Sequence, residues 1–407
     1  MGFSALGLTN ALLNAVTEQG YSAPTPIQLA AIPAILAGQD LMAGAQTGTG
    51  KTAAFALPIL QKLAEPLDQG PRALVLVPTR ELAQQVGNSF VAYGRHTGLR
   101  TVITYGGVSV NTQMAQLQQG ADILVATPGR LLDHLKRGTV TLAQLEFLVL
   151  DEADRMLDMG FIDDIQRIVL GAPKTRQTLL FSATFDEAIF KLSKNLLNNP
   201  QLIEVDTRNA AAQQVEQIAY EVDKSRKREI TSFLIGSRNW HQVLIFTRTK
   251  AGADALAKEM TKDGIKTQSI HGDKSQGARE KALEDFKQGQ IRALVATDVA
   301  SRGLDIEQLK YVINYELPHN AEDYIHRIGR TGRAGESGLA VTLLSADERW
   351  LLEDIHKLLP TRLLQQWLPG YEPDLAQDFS AGAKKPRPTQ NSKHSNNSKN
   401  SSRGRRR

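Results

Sequence analysis

Short unbroken runs of apolar residues recur along the chain, at 73 to 77 (ALVLV), 123 to 126 (ILVA), 147 to 151 (FLVLD) and 178 to 183 (TLLFSA), then at 243 to 246 (VLIF), 293 to 296 (ALVA) and 311 to 315 (YVINY). Amphipathic stretches of helical length separate them. Strands that are apolar throughout, rather than alternating, are covered on both faces, and helices between consecutive strands make a sheet parallel. The pattern also repeats. Leu-Val-Ala-Thr stands at 124 to 127 and at 294 to 297, Thr79-Arg80 matches Thr247-Arg248, and Tyr105-Gly106 matches His271-Gly272. The three pairs keep their order at offsets of 170, 168 and 166 residues. The predicted fold is therefore α/β: two tandem domains, each a mostly parallel sheet with helices on both faces. A chain of 407 residues accommodates two such units at roughly 150 residues each. The boundaries predicted are 1–207 for the first, 208–214 for a linker poor in bulky apolar residues, 215–365 for the second, and 366–407 for a C-terminal extension.

Charge separates the extension from the rest. The net charge is +5, yet residues 380 to 407 carry nine cations and no acid, leaving 39 basic against 43 acidic groups in the remainder. This tail of Ser, Asn, Lys, Arg, Gly and Pro cannot bury enough apolar surface to offset chain entropy, so it is predicted to be disordered. Two readings stand for it: a solubilising extension, or an arm that binds phosphate backbones by releasing counterions. The absence of cysteine excludes disulfides, thiol catalysis and cysteine-based zinc sites and fits a reducing compartment. With no leader-like start and only strand-length apolar runs, the chain reads as soluble, cytoplasmic and without a membrane partner.

The chemistry is concentrated in a few segments. Residues 45 to 52 read Ala-Gln-Thr-Gly-Thr-Gly-Lys-Thr and precede the helix-forming Ala53-Ala54-Phe55-Ala56-Leu57. In such a loop the backbone N–H groups from Ala45, Gln46, Thr47, Gly48, Thr49 and Gly50 cradle phosphates. Lys51 reaches the β and γ oxygens, and Thr52 offers its hydroxyl to Mg²⁺. Glycine usually takes the place of Ala45, and a second element decides the matter. Asp151-Glu152-Ala153-Asp154 directly follows an apolar run, 100 residues after Lys51. Asp151 can hold Mg²⁺ while Glu152 orients or deprotonates the attacking water. Gln28 follows Pro24 and Pro26, which stiffen the approach to a helix. A held glutamine donates and accepts at once, as adenine's N6/N7 edge requires, whereas guanine presents acceptors there. The nucleotide predicted is ATP.

In order and spacing these elements resemble the DEAD-box ATP-dependent RNA helicases, across residues 3 to 335. Asp158-Met159-Gly160-Phe161, the segment from Pro369 to Asp374 and the basic tail look most like the bacterial RhlE-type subgroup. The resemblance implies RecA-like domains, ATP with Mg²⁺ as ligands, and RNA as partner. It makes the segment holding Tyr21 and Gln28, with Phe3 upstream, an adenine-binding motif, and it makes Ala45 the family's own first residue of the phosphate loop. It implies that Arg330 and Arg333 act as arginine fingers, that Asp305 touches the ribose, and that His326 and Arg327 tie their motif to the acidic one. Ser182 and Thr184 would link hydrolysis to strand separation. Thr79, Arg80, Gly107, Thr127, Arg130, Arg248, Gly272 and Thr297 would hold a sugar-phosphate backbone without reading base sequence. Gln276 to Arg279 resembles an extension of the motif that ends at Arg248. Nothing in the sequence suggests obligate self-association, and a monomer is expected.

Three activities stay open at this point. An RNA-stimulated ATPase that remodels short duplexes or ribonucleoprotein fits best. A DNA translocase shares the tandem domains and phosphate loop but not the Gln28 segment or the acidic tetrad. An RNA clamp would use ATP only to set its affinity.

Overall fold

The computed structural model describes residues 2–44, 49–67, 70–185, 187–204, 215–301, 309–332, 338–359 and 362–374. Among these, two seven-stranded sheets form. The first comprises β1 (Leu41–Gly44), β2 (Ala73–Leu76), β3 (Thr101–Thr104), β4 (Ile123–Ala126), β5 (Phe147–Leu150), β6 (Gln177–Ser182) and β7 (Gln201–Glu204), in the order β3-β4-β2-β5-β6-β1-β7. The second comprises β8 (Val215–Glu221), β9 (Val243–Phe246), β10 (Thr267–Ile270), β11 (Ala293–Ala296), β12 (Tyr311–Asn314), β13 (Gly338–Leu344) and β14 (Leu364–Gln366), in the order β10-β11-β9-β12-β13-β8-β14. The pairings are parallel in both. Each strand of one sheet has its counterpart at the same place in the other. The repeated sequence pairs fall on those counterparts: β4 with β11, β2 with β9, β3 with β10. The two RecA-like domains expected from the repeat are therefore present.

Why the central strands are apolar throughout is visible in their packing. On β2, Ala73 and Val75 point into a cluster with Phe55 and Phe90, while Leu74 and Leu76 point into another with Leu131 and Ile165. Period-two alternation thus fills two cores, each fully buried Val, Leu, Ile or Phe side chain contributing about 1.5–3 kcal/mol. Phe55 sits at the heart of the first, its ring 5.2 Å from that of Phe181 and 6.1 Å from that of Phe90. Register then levels the strand ends: Leu76 pairs with Ala126 and Leu150, and Ala126 with Thr104. In the second sheet Phe246 pairs with Ala296 and Asn314, and Ala296 with Ile270. The loops beyond these ends carry the chemistry, as parallel α/β sheets generally require.

Candidate functional site

Strands β5, β6 and β1 are neighbours, so the turns leaving them at Asp151, Ala183 and the phosphate loop share one edge. Ala45, Gln46, Thr47 and Gly48 lie outside the described residues; the end of their loop does not. Gly50, at φ 87, caps the helix Lys51–Leu63, and a Cβ there would stand 2.4 Å from Gln28 Nε2. Glycine is thus required by backbone and by space. Lys51 Nζ lies 3.8 Å from Asp151 Oδ1, with both side chains buried. It has no hydrogen-bond partner. Thr52 is half-buried one residue on. Burial pushes the Asp151 carboxyl up to about 6, against the pull of the Lys51 ammonium. A buried ammonium without hydrogen bonds beside a buried carboxylate is a set of donors and acceptors that an anion and a cation together would complete. The residues therefore fit a phosphate group carried with a divalent metal.

Glu152 occupies the left-handed region, φ 53 and ψ 52, at the N-cap of the helix Ala153–Asp158. That conformation costs a non-glycine residue about 1–3 kcal/mol and is characteristic of sites where placement matters more than stability. Its Oε2 makes no hydrogen bond and lies 3.6 Å from Arg155 Nη1. Asp154 plays a part that local sequence does not show: its carboxylate accepts from Arg155 N at 2.9 Å and from Ala183 N at 3.1 Å. This ties the acidic segment to the turn after β6. Ser182 and Thr184, expected to link hydrolysis to strand separation, flank that bond. The hydroxyl of Ser182 is buried without a hydrogen bond and Thr184 is half-buried, and the bond to Asp154 runs through the backbone N–H between them.

The adenine segment is only partly as expected. Gln28 is buried; its Oε1 accepts from Thr25 N at 2.9 Å and its Nε2 donates to Gly50 O at 3.1 Å. One amide thus closes a capping box on the helix Pro26–Leu36 and pins the end of the phosphate loop. Each atom keeps one further hydrogen-bonding capacity for a base. Phe3 is a core side chain, 6% exposed, in a 3₁₀ turn lying against that helix. Tyr21 is elsewhere: its hydroxyl lies 3.0 Å from that of Tyr93, and it lines a cleft with Glu81, Gln84 and Arg279.

The other half of the first sheet, β3-β4-β2, brings together the segments expected to hold a strand of nucleic acid. Thr79 and Thr127 are N-caps of the helices Arg80–Tyr93 and Pro128–Lys136, so first-turn backbone N–H groups point from the strand ends, with Leu82 N bonded to Thr79 Oγ1 and Pro128 carrying none. Gly107, at φ 84, lies over Arg80; a Cβ would meet its Nη1 at 2.1 Å. Arg130 is turned inward, its Nη1 donating to Gln113 Oε1 at 2.8 Å and its Nη2 to Val108 O at 3.0 Å. In the second sheet β10, β11 and β9 gather Gly272, Thr297 and Arg248 in the same way. Arg248 is also held internally, 3.3 Å from Glu348 Oε1 and 3.6 Å from Glu316 Oε1. Glu348 in turn accepts from Lys227, fully buried, and from Leu317 N at 3.0 Å.

Arg327 is where the sequence reading needs correction. Its guanidinium forms a bidentate pair with Asp298, at 2.6 and 2.8 Å, and donates to Glu316 O at 2.6 Å. It lies over the Phe246 ring, 5.0 Å from the centroid. Those partners belong to the second domain, so Arg327 braces its own sheet rather than reaching the acidic tetrad. Two residues before the Gly329 cap, it anchors the turn that presents Arg330, itself 3% exposed. His326 is half-buried on the same helix. Arg333 and Asp305 lie outside the described residues.

The two domains meet directly. Arg279 Nη2 lies 2.7 Å from Glu81 Oε1, both side chains 9% exposed, and Gln84 Nε2 donates to Glu280 Oε1 at 3.4 Å. Burial holds the Arg279 guanidinium below its ordinary range, with Glu81 opposing.

Comparison with known proteins agrees with this geometry. Residues 25–192 match the DEAD/DEAH box helicase model and residues 225–335 the helicase conserved C-terminal domain. The DEAD-box ATP-dependent RNA helicase CshA of Bacillus cereus is 42% identical over 87% of this chain and 67% of its own. The chain belongs to the DEAD-box helicase family. The ATP-dependent RNA helicase DeaD of Mycobacterium tuberculosis is 44% identical over 91% of the chain, which spans 65% of that relative's length. Among solved structures, Saccharomyces cerevisiae Dbp5 bound to RNA and ADP BeF3 superposes with a TM-score of 0.82 at 31% identity, covering 93% of this chain and 97% of the other. One superposition spanning both domains at that score means that the DEAD-box chain holds its domains in a similar mutual orientation. Among its described residues no helix is long and apolar enough to cross a membrane.

Proposed function

We propose that the protein is an RNA-dependent ATPase that unwinds short duplexes or remodels ribonucleoprotein, closing its two domains on single-stranded RNA when ATP is bound. The observation that carries this is the division of one sheet edge. A buried, unbonded Lys51 ammonium and two buried carboxylates stand at β1 and β5, while backbone-donor segments stand at β3, β4 and β2. The mutual orientation shared with the RNA-bound and ADP BeF3-bound Dbp5 supports the closing step.

In this reading Lys51 binds the β and γ phosphates, Gln28 receives adenine with its remaining donor and acceptor, and Glu152 takes the proton of the attacking water. Mg²⁺, carried with the nucleotide and held by Thr52 and Asp151, would neutralise phosphate charge. Arg330 and Arg333 arrive from the second domain to meet charge developing on the transferred group, so turnover depends on closure. Asp305 contacts the ribose, and His326 couples its helix to the acidic tetrad. Thr79, Arg80, Gly107, Thr127, Gly272 and Thr297 hold the backbone, with Arg130 and Arg248 shaping the loops around it. The linker lies at 208–214 and the subgroup is the RhlE type. The protein acts as a cytoplasmic monomer whose basic tail adds RNA affinity. Phosphate release measured with no nucleic acid, with single-stranded RNA and with single-stranded DNA tests the reading. RNA alone should stimulate. Equal turnover with DNA would remove the RNA assignment, and no turnover at all would favour a clamp.

A further inference from the structure

A buried polar hub lies beneath the first domain's nucleic-acid face. Gln113, on the helix Val110–Gln118, is 4% exposed. Its Nε2 donates to Tyr105 O at 3.1 Å, and its Oε1 receives both Arg130 Nη1 at 2.8 Å and His134 Nε2 at 3.2 Å. His134 is completely buried, and its Nδ1 lies 2.9 Å from Thr139 Oγ1. Because Gln113 Oε1 can only accept, His134 Nε2 carries a proton; the one proton of the Thr139 hydroxyl has two acceptors in reach, His134 O at 3.1 Å and Nδ1 of a neutral ring. Burial, with Arg130 nearby, holds the imidazole below its ordinary range, in keeping with that form. Arg130 closes the circuit by donating to Val108 O at 3.0 Å. The two carbonyls so held, of Tyr105 and Val108, bracket Gly106 and Gly107.

We propose that Gln113 is a positioning residue for nucleic-acid binding: by bonding Tyr105, Arg130 and His134 at once, it fixes the spacing between the Gly106-Gly107 turn and the Thr127-Pro128-Gly129-Arg130 turn. The proposal rests on the reading that these two turns face RNA. Neither turn can set this spacing alone, since the bonds cross from one helix to another and to a strand end. A single amide is the common partner, and no local pattern around residue 113 announces it.

The test is Gln113→Leu in the full chain, which keeps side-chain volume and removes all three bonds. Losing the bonds of one shared amide should change loop order and RNA affinity by at least about tenfold. Without nucleic acid, amides of residues 105–109 should exchange hydrogen at least about tenfold faster than in the wild type. In ATPase titrations with poly(U), the half-maximal RNA concentration should rise by about the same factor while KM for ATP stays within about twofold. His134→Gln, which retains a donor toward residue 113, should give a smaller change in the same direction and carries the same measurements if the leucine variant does not fold. Unchanged exchange at 105–109 would overturn the proposal, as would KM for ATP rising in step with the RNA requirement, which signals general loosening. A wild type insensitive to RNA would instead defeat the proposed function, and the exchange measurement, which uses no RNA, would still decide whether Gln113 orders the turn.

Discussion

Replacing Arg279 with alanine should weaken closure of the two domains while leaving each one folded. The Arg279–Glu81 pair spans 2.7 Å with both side chains 9% exposed. At an effective dielectric of about 20, that separation corresponds to an attraction of about 6 kcal/mol. Desolvating both ions on closure offsets most of it, leaving a coupling of about 2 kcal/mol, near the lower end of values measured for close interfacial charge pairs. In a separated arrangement both groups are hydrated, so the loss falls on the closed state alone. A loss of about 2–3 kcal/mol lowers the closed-to-open ratio by roughly 30-fold to 150-fold. The assay is fluorescence transfer between labels on the two domains, titrated with RNA in the presence of a nonhydrolysable ATP analogue, for wild type, Arg279→Ala, Glu81→Gln and the double variant. The RNA concentration needed for closure should rise by that factor in Arg279→Ala, and the double variant should lose less than the sum of the singles. Single variants that close like the wild type, or a cycle with coupling below about 0.5 kcal/mol, would refute the reasoning.

Lys51→Ala should abolish nucleotide binding, checked by equilibrium titration with a fluorescent ATP analogue; affinity within about threefold of wild type would exclude the ammonium from phosphate recognition. Glu152→Gln keeps shape and removes the base, so it should retain ATP and RNA while phosphate release falls at least about 100-fold, the lower range for a lost general base. Deleting residues 380 to 407, with nine cations, should weaken RNA affinity and flatten its dependence on salt while sparing basal ATPase; an unchanged slope would make the tail a spacer.

The central strands were legible because helices cover both their faces, so β2, β4, β5, β9 and β11 are apolar at every position. The edge strands were not. β7 buries only Ile203 among Gln201–Glu204, β3 leaves Thr101 and Ile103 half-buried, and β10 leaves the polar Gln268 and Ser269 half-buried, one on each face. β1 has only three apolar residues, Leu41 to Ala43, before the glycine that leads into the phosphate loop, so its run does not stand out. The phosphate loop, the acidic tetrad and the Gln28 segment could be read because their chemistry is local in sequence. Asp154 with Ala183, Arg327 with Asp298, and Gln113 with His134 could not. Those pairs lie 29, 29 and 21 residues apart, joined only when strands assemble. Arg130 and Arg248 illustrate the same limit, because a cation in a motif gives no sign of whether it faces solvent or an internal carboxylate.

Matching strand order in the two sheets has a stoichiometric consequence. β8 holds the place in its sheet that β1 holds in the first, yet it runs on into Val222-Asp223-Lys224 and the helix Lys227–Ser237, with no glycine turn between. In the proposed function one lobe of a duplicated plan therefore carries the triphosphate cradle, and the other, relieved of it, is free to furnish guanidinium groups. In the function proposed above, each chain would bind one nucleotide and consume one in each cycle of engagement with a strand.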